Sequence, residues 1–209
     1  MKTFDIITET DARTLEIGSS VTLKAGGHVT PLAADTLTAR RITVHRGVAD
    51  ASLDGLAPVA AIRALAIGSD HGGVALKATL REYLRQKGLS VLDVGTDGPD
   101  PVDYPDIAAQ AARLVARKEV DAAIVIDGAG IGSAMAANKI DGVRAAVCND
   151  KTMARYAREH NGANVLAIGA TMVSADDAKA IVDTWMGTPM GEARYLRRLA
   201  KIRALEKTQ

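Results

Sequence analysis

The chain has 209 residues, 47% hydrophobic and 24% charged, and its 26 Lys and Arg against 25 Asp and Glu give a formal net charge of +1. That length holds one α/β domain of ordinary size plus a smaller appendage, and the balanced charge excludes the single-sign field that would mark nucleic acid or an acidic membrane as partner. The single cysteine, Cys148, excludes an intramolecular disulfide, and no run nears the roughly 20 apolar residues of a membrane span, so a small ligand and a reducing, cytoplasmic setting are expected.

The opening MKTFDIITETDART places acidic residues and threonines where a secretion signal needs an apolar core. Residues 21–23 and 42–45 read as strands. Thr30-Pro31 sets an N-cap candidate before a proline suited to a first helical turn, ahead of a helix over 32–40. These make a small N-terminal α+β module, residues 1–60, whose end at 47–61 reads as a linker with Gly55 and Pro58 among small residues.

From Ala64 the pattern changes. Short runs rich in Val, Ile, Leu and Ala at 64–68, 89–94, 122–126, 143–147 and 164–168 read as buried strands. Between and after them, apolar residues at three- and four-residue spacing predict helices over 74–87, 106–118, 131–138, 151–159 and 175–185. Gly88 and Ser174 are the matching stop and start signals. Strict alternation implies right-handed crossovers and a Rossmann-like three-layer α/β/α domain over 61–209, with a five-stranded, mainly parallel sheet.

In such a sheet ligands bind where loops leave the carboxyl ends of strands. Three polar clusters lie near strand ends and are expected to share one rim: Ser69-Asp70-His71-Gly72-Gly73, Asp127-Gly128-Ala129-Gly130-Ile131-Gly132, and His160-Asn161-Gly162-Ala163-Asn164. The glycine turn offers converging backbone N–H groups to an anion or developing oxyanion. Its spacing departs from G-x-G-x-x-G, which leaves dinucleotide binding, with Asp150 as a ribose contact, a minor reading. Asp127 is placed to act as a general base on carbon or, equally, to cap the helix opening near Ile131. His28 and His45 read as ordinary module residues. Cys148, in an apolar run, reads as a small buried hydrophobe. A last helix from 191 to about 207 projects Arg194 and Arg198, four apart, together as a phosphate clamp requires, although basic helix faces are commonly just solvated.

Taken in order, Ile67 to Gly73, Val102-Asp103-Tyr104-Pro105, Gly128 to Gly132 with Ala136-Ala137-Asn138-Lys139, Gly142 to Ala146, and His160 to Leu166 closely resemble the type B ribose-5-phosphate isomerase and galactose-6-phosphate isomerase family, over essentially all of 63–205. The resemblance implies aldose–ketose isomerisation of a phosphorylated sugar, a homodimer with sites at the subunit interface, and no metal or organic cofactor. It also implies roles: Asp70 and His71 contact the sugar, Gly128, Ala129, Gly130, Ile131 and Gly132 hold the enediolate oxygens, His160 assists ring opening, Asn161 binds substrate, and Arg194 and Arg198 grip the phosphate.

Two positions depart from the family. Asp127 stands where many members carry a cysteine base, and Ala129 where many carry a hydroxyl that helps open a furanose. The first keeps a base of another type; the second suits a substrate that needs no ring opening, such as a four-carbon sugar 4-phosphate. A non-catalytic sugar-phosphate or nucleotide sensor is the alternative. Residues 1–60 have no counterpart in the minimal family and are expected to be dispensable for catalysis. Their stretch Val29-Thr30-Pro31-Leu32-Ala33-Ala34-Asp35 resembles segments of bacterial microcompartment enzymes, which implies docking to such an assembly.

Overall fold

The computed structural model describes residues 2–46, 55–190 and 193–206; linker positions 47–54 and the side chain of Arg194 lie outside the described residues. The chain forms two compact units, Met1–Ala57 with Gly191–Gln209, and Pro58–Met190.

The first unit alternates β1 (Thr3–Ile7), α1 (Glu9–Thr14), β2 (Ser20–Val29), α2 (Pro31–Ala39) and β3 (Thr43–Arg46), with a parallel sheet in the order β1-β2-β3. Ile7, Leu23, Ala33 and Leu37 form its core. The Thr30 side chain accepts from the Ala33 N–H with Pro31 in the first turn, as the sequence predicts. Strand β1 and helix α1 were not predicted. The adjacent Ile6 and Ile7 break the strand alternation, although Thr8 and Asp11 form a capping box that marks the start of α1.

Helix α8 (Ala193–Glu206) belongs to this unit. It packs against β2, buries Tyr195 and Leu199, and places Arg197 Nη1 2.8 Å from Asp5 Oδ1. The sequence-based boundary at 60/61 gave this helix to the isomerase domain; its contacts lie with the N-terminal unit. Deleting residues 1–60 would strip cover from an apolar helix face, so the expectation that they are dispensable loses its basis.

The second unit runs β4 (Ala64–Ser69), α3 (Val74–Gln86), β5 (Ser90–Asp93), α4 (Tyr104–Ala116), β6 (Ala122–Asp127), α5 (Ile131–Ala137), β7 (Ala145–Val147), α6 (Lys151–Glu159), β8 (Val165–Gly169) and α7 (Ala175–Gly187). Its sheet has the order β5-β4-β6-β8-β7, every pair parallel. Strands β4, β6 and β8 are buried almost throughout, because helices cover both faces. One face packs Leu65, Ile67, Ile124, Ile126 and Trp185, the other Ala66, Ala112, Val125 and Ala167. Among the described residues, no helix is long and apolar enough to cross a membrane.

Buried Arg158 donates to the carbonyls of Val59 and Ala163, tying the start of this unit to the end of α6. Burial, with nearby Arg144, lowers its pKa to about 10, so the guanidinium stays charged at neutral pH. Burial, with nearby Asp150, raises the Cys148 thiol to about 12, which leaves it the inert hydrophobe the sequence suggests.

Candidate active site

Chain order reverses between β4 and β6, because β5 lies on one side of β4 and every later strand on the other. That switch point opens a crevice at the carboxyl ends of β4 and β6, and the first two predicted clusters meet there. The Asp70 N–H donates to the Ile126 carbonyl at 3.2 Å, joining the loops. Asp70 is nearly buried and caps the short turn His71–Gly73, its Oδ1 accepting from the Gly73 N–H at 3.1 Å.

His71 is exposed, and its Nδ1 accepts from the Val102 N–H at 3.4 Å. That contact favours the tautomer with the proton on Nε2, so the free nitrogen of a neutral His71 is a donor. The loop bearing Val102 is anchored upstream by fully buried Lys77, whose Nζ bonds Asp93 at 2.8 Å and Asp97 at 2.9 Å.

The glycine turn is wrapped around Asp127. Its Oδ1 accepts from the N–H groups of Ala129 at 2.9 Å and of Gly130, and its Oδ2 from the Ser133 N–H at 2.8 Å. Burial raises the carboxyl's pKa, but the Ser133 side chain and the backbone N–H groups of Ser133, Gly130 and Ala129 outweigh it and hold Asp127 below the usual aspartate value of 3.8. Asp127 is thus an ionised carboxylate seated in the cradle that the sequence reading offered to substrate oxygens. Ser133, unremarked in the sequence, is its principal partner. The capping role of Asp127 is realised; serving as base requires an oxygen to be freed.

The turn is clamped from both sides. Thr171 donates through its N–H and hydroxyl to the Gly128 carbonyl at 3.0 and 2.7 Å, and the Tyr104 ring lies over Gly132. Gly130 has φ +79°, and a Cβ there would come 3.0 Å from the Ile168 carbonyl carbon. Gly130→Ala is therefore expected to lose about 1–2 kcal/mol from the left-handed backbone alone, more with the contact, read as a lowered urea midpoint. An unchanged midpoint would mean that the turn relaxes freely.

The third cluster is elsewhere. Gly169 pairs with Asp127 at the carboxyl ends of β8 and β6, whereas His160 and Asn161 follow α6 and precede β8, at the amino end of the sheet. The strand between puts the two groups on the order of 15 Å apart or more. The expectation that all three clusters share one rim is corrected: loops leading into strands of a parallel sheet lie opposite those leaving them. His160 stacks on Tyr156 with ring centroids 4.8 Å apart and has Nε2 3.8 Å from Glu159, while Asn161 donates to the Tyr156 carbonyl. Asn164 joins this end to Gly142 and Arg144. Arg198, the other predicted phosphate ligand, is exposed on α8 in the first unit, its guanidinium 5.7 Å from the Tyr195 ring centroid. Asp150, the predicted ribose contact, caps α6 by accepting from the Met153 N–H.

Residues 65–202 match the model of the ribose/galactose isomerase family. Ribose-5-phosphate isomerase B of Escherichia coli K12 is 41% identical over 145 residues, covering 69% of this chain and 97% of that one. D-erythrulose-4-phosphate isomerase of Pectobacterium atrosepticum is 40% identical over 124 residues, 58% of this chain and 81% of that one. The solved structure of ribose-5-phosphate isomerase B from Clostridium thermocellum superposes with a TM-score of 0.68 at 46% identity, covering 69% of this chain and 97% of that one.

Proposed function

The chain belongs to the ribose/galactose isomerase family, and from that membership we propose that it interconverts an aldose and a ketose phosphate through an enediolate, with Asp127 moving the carbon-bound proton. The observation that carries this reading is an ionised carboxylate within a ring of backbone N–H groups at the sheet's switch point. Asp127 takes the proton from the carbon next to the carbonyl and returns it to the neighbouring carbon, while a hydroxyl proton shifts from one oxygen to the other. A carboxylate held by so many donors is a weak base. A substrate oxygen that takes over the Ala129 and Gly130 N–H groups removes two of those donors and raises its proton affinity when substrate is present. His71, donating through Nε2, is placed to polarise a sugar oxygen, and Asp70 to accept a sugar hydroxyl.

His160 and Asn161 reach such a site in a homodimer whose second protomer brings its amino-end loop to the first protomer's glycine turn. Support for that assembly is the separation of the two groups along one sheet and the exposed apolar pair Ile131 and Met135 on α5, beside the turn. Arg194 and Arg198 remain proposed phosphate ligands through the family resemblance. Residues 1–60 are proposed as a docking module for a microcompartment or similar assembly, supported by the sequence of 29–35 and the exposure of Leu32. The enzyme is proposed to act in the cytoplasm.

The substrate proposed is a four-carbon sugar 4-phosphate. Ribose 5-phosphate closes a furanose through its 4-hydroxyl, whereas a 4-phosphate has that oxygen esterified and stays acyclic or hydrated. Ala129 offers no hydroxyl for ring opening, and one relative is named for a four-carbon ketose phosphate. Turnover per binding constant is expected to be at least about tenfold higher for erythrose 4-phosphate than for ribose 5-phosphate; the reverse order returns the protein to pentose phosphates. The commitment of both Asp127 oxygens also favours a second reading, a sugar-phosphate sensor without chemistry. That reading expects tight ester binding with no ketose formed from any four-, five- or six-carbon aldose phosphate.

A further inference from the structure

Lys77 is fully buried on α3, where an ammonium is held by opposite charge or not at all. Its Nζ bonds Asp93 Oδ1 at 2.8 Å and Asp97 Oδ1 at 2.9 Å, while the Arg81 guanidinium takes the other oxygen of Asp93 and lies 3.7 Å from Asp97. Two cations meet two carboxylates. The carboxylates differ in exposure, the Asp93 side chain being 15% exposed and that of Asp97 75%. Asp93 alone can neutralise the buried ammonium, so Asp97 adds a tether rather than a counter-charge that the core requires. The hydrogen bond from Lys77, and then its charge, hold the Asp97 carboxyl below the usual range, which keeps that tether ionic at neutral pH.

The tether acts on the stretch that leaves β5 for the site. The Val94 N–H donates to the Ile67 carbonyl at 2.9 Å and the Thr96 N–H to the Ser69 carbonyl at 3.2 Å, so the chain follows β4 to the residue before Asp70. Gly95 lies so close that a Cβ there would collide with the Ser69 backbone nitrogen. Asp97 comes next, pinned to Lys77. Farther on, the Val102 N–H reaches His71 Nδ1 and the Tyr104 ring lies over Gly132, so one stretch touches both the Asp70–His71 loop and the glycine turn. A hydrogen bond that selects a histidine tautomer is only as firm as the backbone that donates it.

We propose that Lys77 and Asp97 are positioning residues for His71. The buried ammonium fixes the start of the loop, and the loop's Val102 N–H then holds the imidazole in the tautomer that donates through Nε2 to a substrate oxygen. The catalytic consequence rests on the isomerase reading; the tether and the tautomer do not.

The test uses the full chain with Asp97→Ala, because replacing Lys77 would leave carboxylates facing an apolar hole, and with Asp97→Glu, which keeps a carboxylate within reach of Nζ. Ring ¹⁵N–¹H correlation spectra of histidine-labelled protein in alkaline solution report the tautomer, and His71→Asn assigns the His71 signal among the four histidines. In Asp97→Ala the Nε2–H signature of His71 should give way to a mixture of tautomers, with the melting temperature within about 3 °C of the parent because Asp93 stays on Lys77. With erythrose 4-phosphate, kcat should fall about tenfold and KM change less than about twofold, since a misplaced polarising group is missed most in the transition state. Asp97→Glu should move both readouts back toward the parent. A lowered melting temperature with the His71 signature unchanged would make the cluster purely structural and overturn the proposal, and a mixed signature with unchanged kcat would overturn its catalytic part. Should the parent isomerise nothing while Asp97→Ala still shifts the signature, the isomerase reading fails and the tether stands.

Discussion

Asp127→Asn is expected to cut turnover by about two orders of magnitude or more and, in the same protein, to lower the melting temperature by several degrees. The first effect follows from removing the group that carries the carbon-bound proton, since a positioned base contributes roughly 10²–10⁴. The second follows from geometry. An amide keeps one acceptor for Ala129 and Gly130 but turns an NH₂ group toward the buried Ser133 N–H, which now donates to Oδ2. Leaving a buried donor unsatisfied costs about 1–3 kcal/mol, or roughly 2–4 °C per kcal/mol in a chain of this size. A melting temperature that falls while turnover per folded molecule stays near normal would reassign Asp127 to capping alone.

The pH dependence separates the two roles further. Because the folded pKa of Asp127 is lowered, its contribution to stability is complete above the usual 3.8 and is lost as pH falls through the lower folded value. Asp127→Asn should lack that acid-side loss. If substrate displaces the carboxylate from its N–H groups, the acid limb of kcat should lie at higher pH than that of kcat/KM, because the former reports the bound complex and the latter the free enzyme. Coincident limbs would rule out displacement.

The second large effect is a gain. Assayed with ribose 5-phosphate, whose furanose His160 is expected to help open, chains bearing Asp127→Asn and chains bearing His160→Ala, each reduced about a hundredfold or more on their own, should recover about one quarter of parental activity toward that sugar when co-expressed. Random pairing makes half the dimers mixed, and each mixed dimer has one site with both residues intact if the site takes Asp127 from one protomer and His160 from the other. A site built within one protomer leaves every mixed dimer inactive. Recovery therefore reads out the source of His160 directly, and its absence, with mixed dimers demonstrated by differential tagging, would dismiss the shared site.

The second unit was largely legible from the sequence because each element carries its own signal. Buried strands such as Ala122–Asp127 are continuous apolar runs, and α6 (Lys151–Glu159) matches its predicted span because its apolar positions repeat at helical spacing. Those signals act over one element, so its type and approximate limits survive without knowledge of its neighbours. The predicted strand over 143–147 shrank to Ala145–Val147, and β1 was missed, because pairing rather than composition decides where a short strand begins.

What the residues by themselves determined is the alternating α/β order, the glycine turn after β6, the Asp70–His71 loop after β4 and the isomerase family. Tertiary structure alone decided three further matters. It seated the Asp127 carboxylate in its own turn, because three backbone donors converge only once Gly130 adopts a positive φ and α5 begins. Strand direction, fixed by pairing β8 parallel to β6, set His160 at the opposite end of the sheet. And α8 went to the N-terminal unit, because the burial of Tyr195 and Leu199 and the Asp5–Arg197 pair join positions nearly the whole chain apart, an energy that no local pattern encodes.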